Sequence, residues 1–275
     1  MRLPVCTFSV LLLVICCQPI IAQAGTQKPS LTKDEVAAIR KAAENGDTGA
    51  QSKLCIIYGY VAEQGVAQDY AQGAVVWCRK AAEQGNANAQ AVLGEIYGSG
   101  IGVPRDYAQA AHWIRKAADQ GLAVAQFNLG VLYATGKGVS RDNTQAVVWY
   151  RKAADQGIAN AQAALGAMYG SGRGVPQDDA QAVVWLRKAA EQGNADGQYM
   201  LGLAYRLGKG VPQDYAEAYF WGDLAAAGKL EGPKQEDAAK YRDEAASHLT
   251  PADLSRVQER ARKWYEDHPA KEDAR

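Results

Sequence analysis

Hydrophobic and polar positions along the chain repeat on two scales. Over short stretches, apolar residues recur at helical spacing: Ala89, Leu93, Ile96 and Tyr97 fall at i, i+4, i+7 and i+8, one face of a helix. A second stripe follows at Ala110, Trp113, Ile114 and Ala117. Between them stand Gly100, Gly102 and Val103-Pro104. Glycine accepts the left-handed conformation at a helix end, and the residue before proline is driven to an extended step. The pattern predicts helix A from about Asn86 to Gly98, then helix B, opened by Asp106 with Gln109 and closed at Gly121. On the longer scale the whole unit returns. Trp113-Ile114-Arg115-Lys116-Ala117-Ala118 reappears from Trp149 and again from Trp185, each 36 residues on, with an earlier copy at Trp77 and a faded one at Trp221. A fixed period of this length predicts stacked helix pairs, because two short helices cannot each bury an apolar stripe alone.

Five copies are expected, at 47–85, 86–121, 122–157, 158–193 and 194–228. The acidic opening of helix B recurs as Asp69/Gln72, Asp142/Gln145, Asp178/Gln181 and Asp214/Glu217. Residues 25–46 read as a linker and an N-capping helix: Thr32 and Glu35 form a capping box, and Arg40-Lys41-Ala42-Ala43 repeats the second half of a copy without its tryptophan. The first copy is three residues longer than the 36 of the others, with two extra residues placed in a Gly59 to Gln64 loop and one near Gly73. It also carries Cys55 where later copies have Gly94, Gly130, Gly166 and Gly202. The fifth loses the Arg-Lys pair, reading Trp221-Gly222-Asp223-Leu224. From Lys229 the period fades, and 229–268 reads as C-capping helices, the last one opened by Thr250-Pro251, with a disordered tail at 269–275.

The run Ala89-Gln90-x-x-Leu93-Gly94-x-x-Tyr97-x-x-Gly100, then Gly102-Val103-Pro104-x-Asp106, then Ala110-x-x-Trp113-x-x-Lys116-Ala117-Ala118, resembles the Sel-one-like repeat (SLR), a relative of the tetratricopeptide repeat. The resemblance covers 47–228 and implies an all-α, right-handed α/α solenoid with a concave binding face. It also implies adaptor duties in protein complexes and, in bacteria, frequent export.

Charge adds little to that picture. Thirty basic side chains balance thirty acidic ones, without the clustered excess that nucleic acid or an anionic membrane selects. The first 24 residues carry one charge, at Arg2, then an apolar run from Val5 to Cys17 and a small-residue end at Ala22-Gln23-Ala24. This reads as a signal peptide cleaved after Ala24, with no stable membrane anchor afterwards and a periplasmic or secreted destination. Two cysteines then remain, Cys55 and Cys78, one on each helix of the first copy. Either they pair as a disulfide in an oxidising compartment, or they stay as two buried thiols.

Candidate chemistry is sparse. His112 takes a site held elsewhere by Val76, Val148, Val184 and Phe220, so it reads as a substitution on a semi-buried face; His248 falls at a helix end and His268 in the tail. Gly136-Lys137-Gly138 and Gly208-Lys209-Gly210 follow helices, where a phosphate loop would follow a strand, and read as helix terminators. The Arg-Lys pairs are expected to cover apolar surface with their stems while their charges reach water, Glu83 or Asp119. The tyrosines at 58, 97, 133, 169 and 205 recur in every copy and so read as packing. No catalytic, cofactor-binding or metal-ligating residue is assigned.

Binding is sought instead where the copies disagree. On helix A the changing positions fall on the arc opposite the constant ones, giving a candidate groove of Asn88, Ala91, Glu95, Phe127, Asn128, Asp196, Tyr199 and Met200, with Phe127 and Tyr199 as aromatic anchors. Packing of that arc between neighbouring copies is the competing reading, above all at Ala163, Ala164 and Val131. The expectation for function is a non-catalytic exported scaffold binding a protein or peptide. Two alternatives stand beside it: a cell-wall-directed protein acting on β-lactams or peptidoglycan, as cysteine-rich SLR members are linked to β-lactam hydrolysis, and a secreted host-interaction factor. The partner and the oligomeric state are not legible.

Overall fold

The computed structural model describes residues 32–63, 68–228, 230 and 232–268. The signal segment, the linker to Ser30 and the 269–275 tail lie outside the described residues. These residues form helices and connecting turns, with no strand among them, and divide into two compact units between Lys152 and Ala153.

The first unit holds α1 (Lys33–Glu44), α2 (Thr48–Glu63), α3 (Gln68–Glu83), α4 (Ala87–Ser99), α5 (Tyr107–Asp119), α6 (Ala123–Thr135) and α7 (Asn143–Asp155) as far as the break. The second holds α8 (Ala159–Ser171), α9 (Asp179–Glu191), α10 (Ala195–Leu207), α11 (Tyr215–Ala227), α12 (Lys234–Ser247) and α13 (Pro251–Asp267). From α4 to α11 they alternate as A and B helices of 13 residues each.

The punctuation expected from sequence is present, with two differences. Gly100 ends α4 in the left-handed region at φ 80°, donating its N–H to the Ile96 carbonyl. Asp106 caps α5 by accepting from the Ala108 and Gln109 amides, Asp142 and Asp214 cap their helices in the same way, and Asp178 accepts from the Gln181 amide. The amide of each capping aspartate donates to a tyrosine carbonyl in the last turn of the preceding A helix: Asp106 to Tyr97, Asp142 to Tyr133, Asp178 to Tyr169 and Asp214 to Tyr205. That carbonyl occupies the donor that a reciprocal capping box would use, so the cap also fixes where B begins relative to A. The reciprocal box appears in full only at α1, between Thr32 and Glu35, among the helices with described caps.

The first copy departs from expectation. Asp69 lies inside α3 and is not its cap, and the Gly59–Glu63 stretch read as loop is helical. Where later copies place a terminating glycine three residues after the tyrosine, as Gly100 follows Tyr97, this copy has Val61 after Tyr58. With no glycine at that offset, α2 runs on to Glu63, 16 residues in all, and α3, which starts ahead of Asp69, is also 16 residues long.

Each helix pair crosses at a notch. A Cβ built on Gly94 would stand 2.5 Å from Ile114 Cγ1. On Gly130 it would stand 2.6 Å from the Tyr150 ring, and on Gly166 2.7 Å from Leu186 Cγ. In each case a bulky residue of helix B fills the space that the glycine of helix A leaves. The first copy replaces this pair with Cys55 and Cys78, whose sulfurs are bonded, with Cα atoms 4.6 Å apart and neither residue exposed. Of the two readings of these cysteines, the disulfide is the one the structure holds. The fifth copy does something else again. Gly202 faces Gly222, and the notch is filled by Tyr241 of α12, whose hydroxyl donates to the Tyr199 carbonyl at 3.1 Å. Burial holds the Tyr241 phenol far above its usual range, so it remains a donor.

Candidate binding surface

The constant residues of helix A turn out to be connectors. Gln90, Gln126, Gln162 and Gln198 each donate a side-chain N–H to an alanine carbonyl of the preceding B helix, at Ala82, Ala118, Ala154 and Ala190. Gln120 and Gln192, at the ends of the following B helices, donate back to Gln90 and Gln162 at 2.7 Å. Buried amides are thereby matched inside the stack, which fixes its axial register.

The arginine of each Arg-Lys pair is also a connector. Arg79 donates to the Tyr97 hydroxyl at 2.6 Å, and Arg40, Arg115 and Arg187 make the same bond to Tyr58, Tyr133 and Tyr205. Every such pair is 18 residues apart and joins helix B to the next helix A. The lysine ammonium lies over the tryptophan one turn back on its own helix, 4.7 Å from the ring centroid for Lys116 on Trp113 and 4.0 Å for Lys152 on Trp149. The expected contacts of these charges with Glu83 and Asp119 give way to aromatic partners.

The loops are equally structural. A Cβ on Gly138 would overlap the Tyr107 carbonyl, and one on Gly210 the Asp179 carbonyl, so the second loop glycine lies against the start of the previous B helix. The three histidines each meet an aromatic ring. His112 is exposed, not semi-buried, and stands edge-on to Trp113 at 5.1 Å. His248 ends α12 and stacks on Tyr215 at 4.0 Å, while His268 closes α13 and stacks on Trp264 at 4.2 Å. No cluster of three or more His, Cys, Asp or Glu side chains able to hold a metal occurs among the described residues.

The changing arc splits in two. Ala91, Phe127 and Asn128 are buried, at 0%, 1% and 1% exposure. Phe127 packs at 5.8 Å on the Tyr150 ring, which is itself the knob in the Gly130 notch, so it is a core residue and not an anchor held open for a partner. Ala163, Ala164 and Val131 are buried too, as the competing reading held. In the second unit Asp196, Tyr199 and Met200 are half-buried against the closing helices. Asp196 pairs with Lys234 at 2.5 Å, and Tyr199 faces Tyr241 at 5.8 Å. Met200 packs on the cluster around Leu201 and Leu224. The groove read from sequence is thus largely packed interior, within a helix pair at Phe127 and against the closing helix α12 at Asp196 and Tyr199.

Asn88 and Glu95 stay at the surface, Asn88 exposed and Glu95 half-buried. They mark a narrower row at i, i+7 and i+11 that the wheel did not isolate. On α4 the row is Asn88, Glu95 and Ser99, and on α6 Val124 and Thr135. In the second unit it is Asn160 and Ser171 on α8, then Leu203 and Leu207 on α10, with Leu207 45% exposed. Ser99, Thr135 and Ser171 bond their hydroxyls to carbonyls of their own helix, leaving a smooth, weakly polar surface. These last-turn residues were legible in principle, since each precedes a terminating glycine at a fixed offset.

Comparison with known proteins places this architecture. The chain is similar to a Sel1 repeat protein from Oxalobacter formigenes, with 30% identity, a TM-score of 0.64, and coverage of 85% of this chain and 91% of that one. It is also similar to c5321, a protective antigen present in uropathogenic Escherichia coli strains displaying an SLR fold, with 32% identity and a TM-score of 0.55. That match covers 84% of this chain but 56% of c5321, so the chain spans little more than half of that protein's length. No curated protein matches the sequence. The Sel1 repeat model matches 48–86, 87–122, 123–158, 159–194 and 195–229, and again 246–266, within the closing helices that the sequence period had not reached. With matched helix pairs over most of its length, the chain is an all-α repeat solenoid belonging to the Sel1 repeat family.

Proposed function

We propose that this protein is an exported, non-catalytic scaffold that binds a protein or peptide along the surface row of its A helices. Sel1 repeats generally mediate protein–protein interaction. One observation carries the assignment to this row. At its two ends, i and i+11, the row changes from copy to copy and reaches solvent in whole or in part, as it does at Glu95 and Leu203, although Val131 and Ala167 between them are buried. Ala91, Phe127 and Asn128 are packed away, and the constant glutamines are bonded into the stack. Within the first unit the row is polar at Asn88, Glu95 and Ser99. Within the second it offers the apolar Leu203 and Leu207. Each unit therefore presents its own chemistry to a partner. Export is supported by the leader-like N-terminal sequence and by a disulfide at the first helix pair.

Photo-crosslinking in the compartment where the protein resides tests this reading. A crosslinker at Ser99 or Leu207 should trap a partner, and one at the buried Phe127 should trap none. Adducts from position 127 with none from 99 and 207 would return the site to the wider arc of changing positions. Fractionation of cells, with detection of the mature chain outside the cytoplasm, checks the export half separately.

A further inference from the structure

We propose that the outer face of the B helices in the first unit is a second docking surface, which takes an acidic amphipathic helix of a partner protein. Among the described residues the exposed large apolar side chains are Val76, Val148, Val184 and Leu207. Three of these four hold one position of the repeat, the residue just before the tryptophan of helix B. Val76 is 50% exposed and Val148 43%. Single apolar residues scattered over a surface are ordinary, but recurrence at one position is not scatter. In the fifth copy the same position is Phe220, which is 2% exposed because α13 lies over it. That cover shows what the position holds when it is occupied. α13 packs on α11 with Val257 and Ala261 buried in the shared cluster. The Arg260 guanidinium stands 3.8 Å from the centroid of the Phe220 ring and donates to the Glu217 carboxylate at 2.5 Å. The Tyr265 hydroxyl donates to the Asp223 carbonyl at 3.2 Å. An amphipathic helix with a basic side chain is thus seated on an aromatic face with acidic flanks.

Copies two and three reverse the charge of that face. Where the fifth copy has Glu217 they have Gln109 and Gln145, where it has Asp223 they have Arg115 and Arg151, and where it has Leu224 they have Lys116 and Lys152. Lys80, Lys116 and Lys152 are exposed, and each lies over the tryptophan that follows Val76, His112 or Val148. The acids Glu83 and Asp119 stand about a turn further on, at the helix ends. The band beside Val76, His112 and Val148 is therefore cationic where the band beside Phe220 is anionic. α13 answers the anionic band with Arg260, three residues after the buried Val257. The helix that answers the cationic band carries Glu or Asp at that place, and a basic helix like α13 is turned away by like charge. The inference does not rest on the A-helix row.

A photo-crosslinker is placed at position 148 of the full chain in the compartment where the protein resides, and the crosslinked peptide is sequenced by mass spectrometry, with position 220 as the covered control. Position 148 should trap a segment of another protein that has net negative charge and apolar residues at helical spacing, and position 220 should trap α13 alone. Lys116→Glu with Lys152→Glu should lower the yield from position 148 at least tenfold, while Lys116→Arg with Lys152→Arg, which keeps both cations, should retain it. The melting curve of each variant is read alongside, and the neutral pair Lys116→Gln with Lys152→Gln replaces the glutamate pair if that pair is unfolded. An adduct on a neutral or basic segment would overturn the proposal, as would adducts only with a second copy of this chain or with lipid, no adduct at all, or a yield unchanged when the cations are removed.

Discussion

The first and fifth copies change the same two positions in opposite directions. Copies two to four cross on a glycine against Ile114, Tyr150 or Leu186. The first fills both positions and ties them together, as Cys55–Cys78. The fifth empties both, as Gly202 and Gly222, and takes its knob from outside the pair, as Tyr241 of α12. What recurs through the array is a crossing occupied by a side chain, and not the residue or the element that supplies it. The covalent solution makes the first pair self-contained. The borrowed knob makes the fifth pair depend on α12, which is also held by the buried Ala238 and Ala245 and by ion pairs of Lys234 with Asp196, Arg242 with Asp223, and Glu244 with Arg206.

The largest break in this comparison comes from removing the borrowed knob. Tyr241→Ala should cost about 3–5 kcal/mol by thermal or urea unfolding, since it empties a buried aromatic site and leaves two glycines facing each other. Crowding an ordinary notch is the next largest. Gly130→Ala puts a Cβ 2.6 Å from the Tyr150 ring and should cost about 1–3 kcal/mol in the same measurement. Smallest is the latch between copies. Tyr133→Phe removes the hydroxyl that Arg115 reaches while leaving the ring beneath the guanidinium, and should lower stability by about 1 kcal/mol.

Much of this was legible before any coordinates. The 36-residue period, the glycine terminators and the aspartate caps locate the helices to within a residue or two, because each is a local backbone requirement. The departure at Cys55 was legible as well, as a break in the glycine that recurs at 94, 130, 166 and 202. The groove was not. Variation among copies was read as exposure, yet Ala91, Phe127 and Asn128 vary while buried. A buried position is free to vary when its neighbours vary with it, and Phe127 meets Tyr150 where copy two sets Ala91 and Ile114. Tyr241 was missed because the period seemed to end at Lys229, although it stands 36 residues after Tyr205. The role of the Arg-Lys pair was missed because its partner is 18 residues away, beyond the reach of any single-helix argument.

The central claim is that the crossing needs one knob of the right volume, whichever element supplies it. The direct test is to move the knob in the fifth copy back to helix B, by adding Gly222→Leu to Tyr241→Ala so that 202/222 reads like 166/186. Urea unfolding of the double variant should recover at least half of the stability lost by Tyr241→Ala alone. A double variant no more stable than Tyr241→Ala would contradict the account.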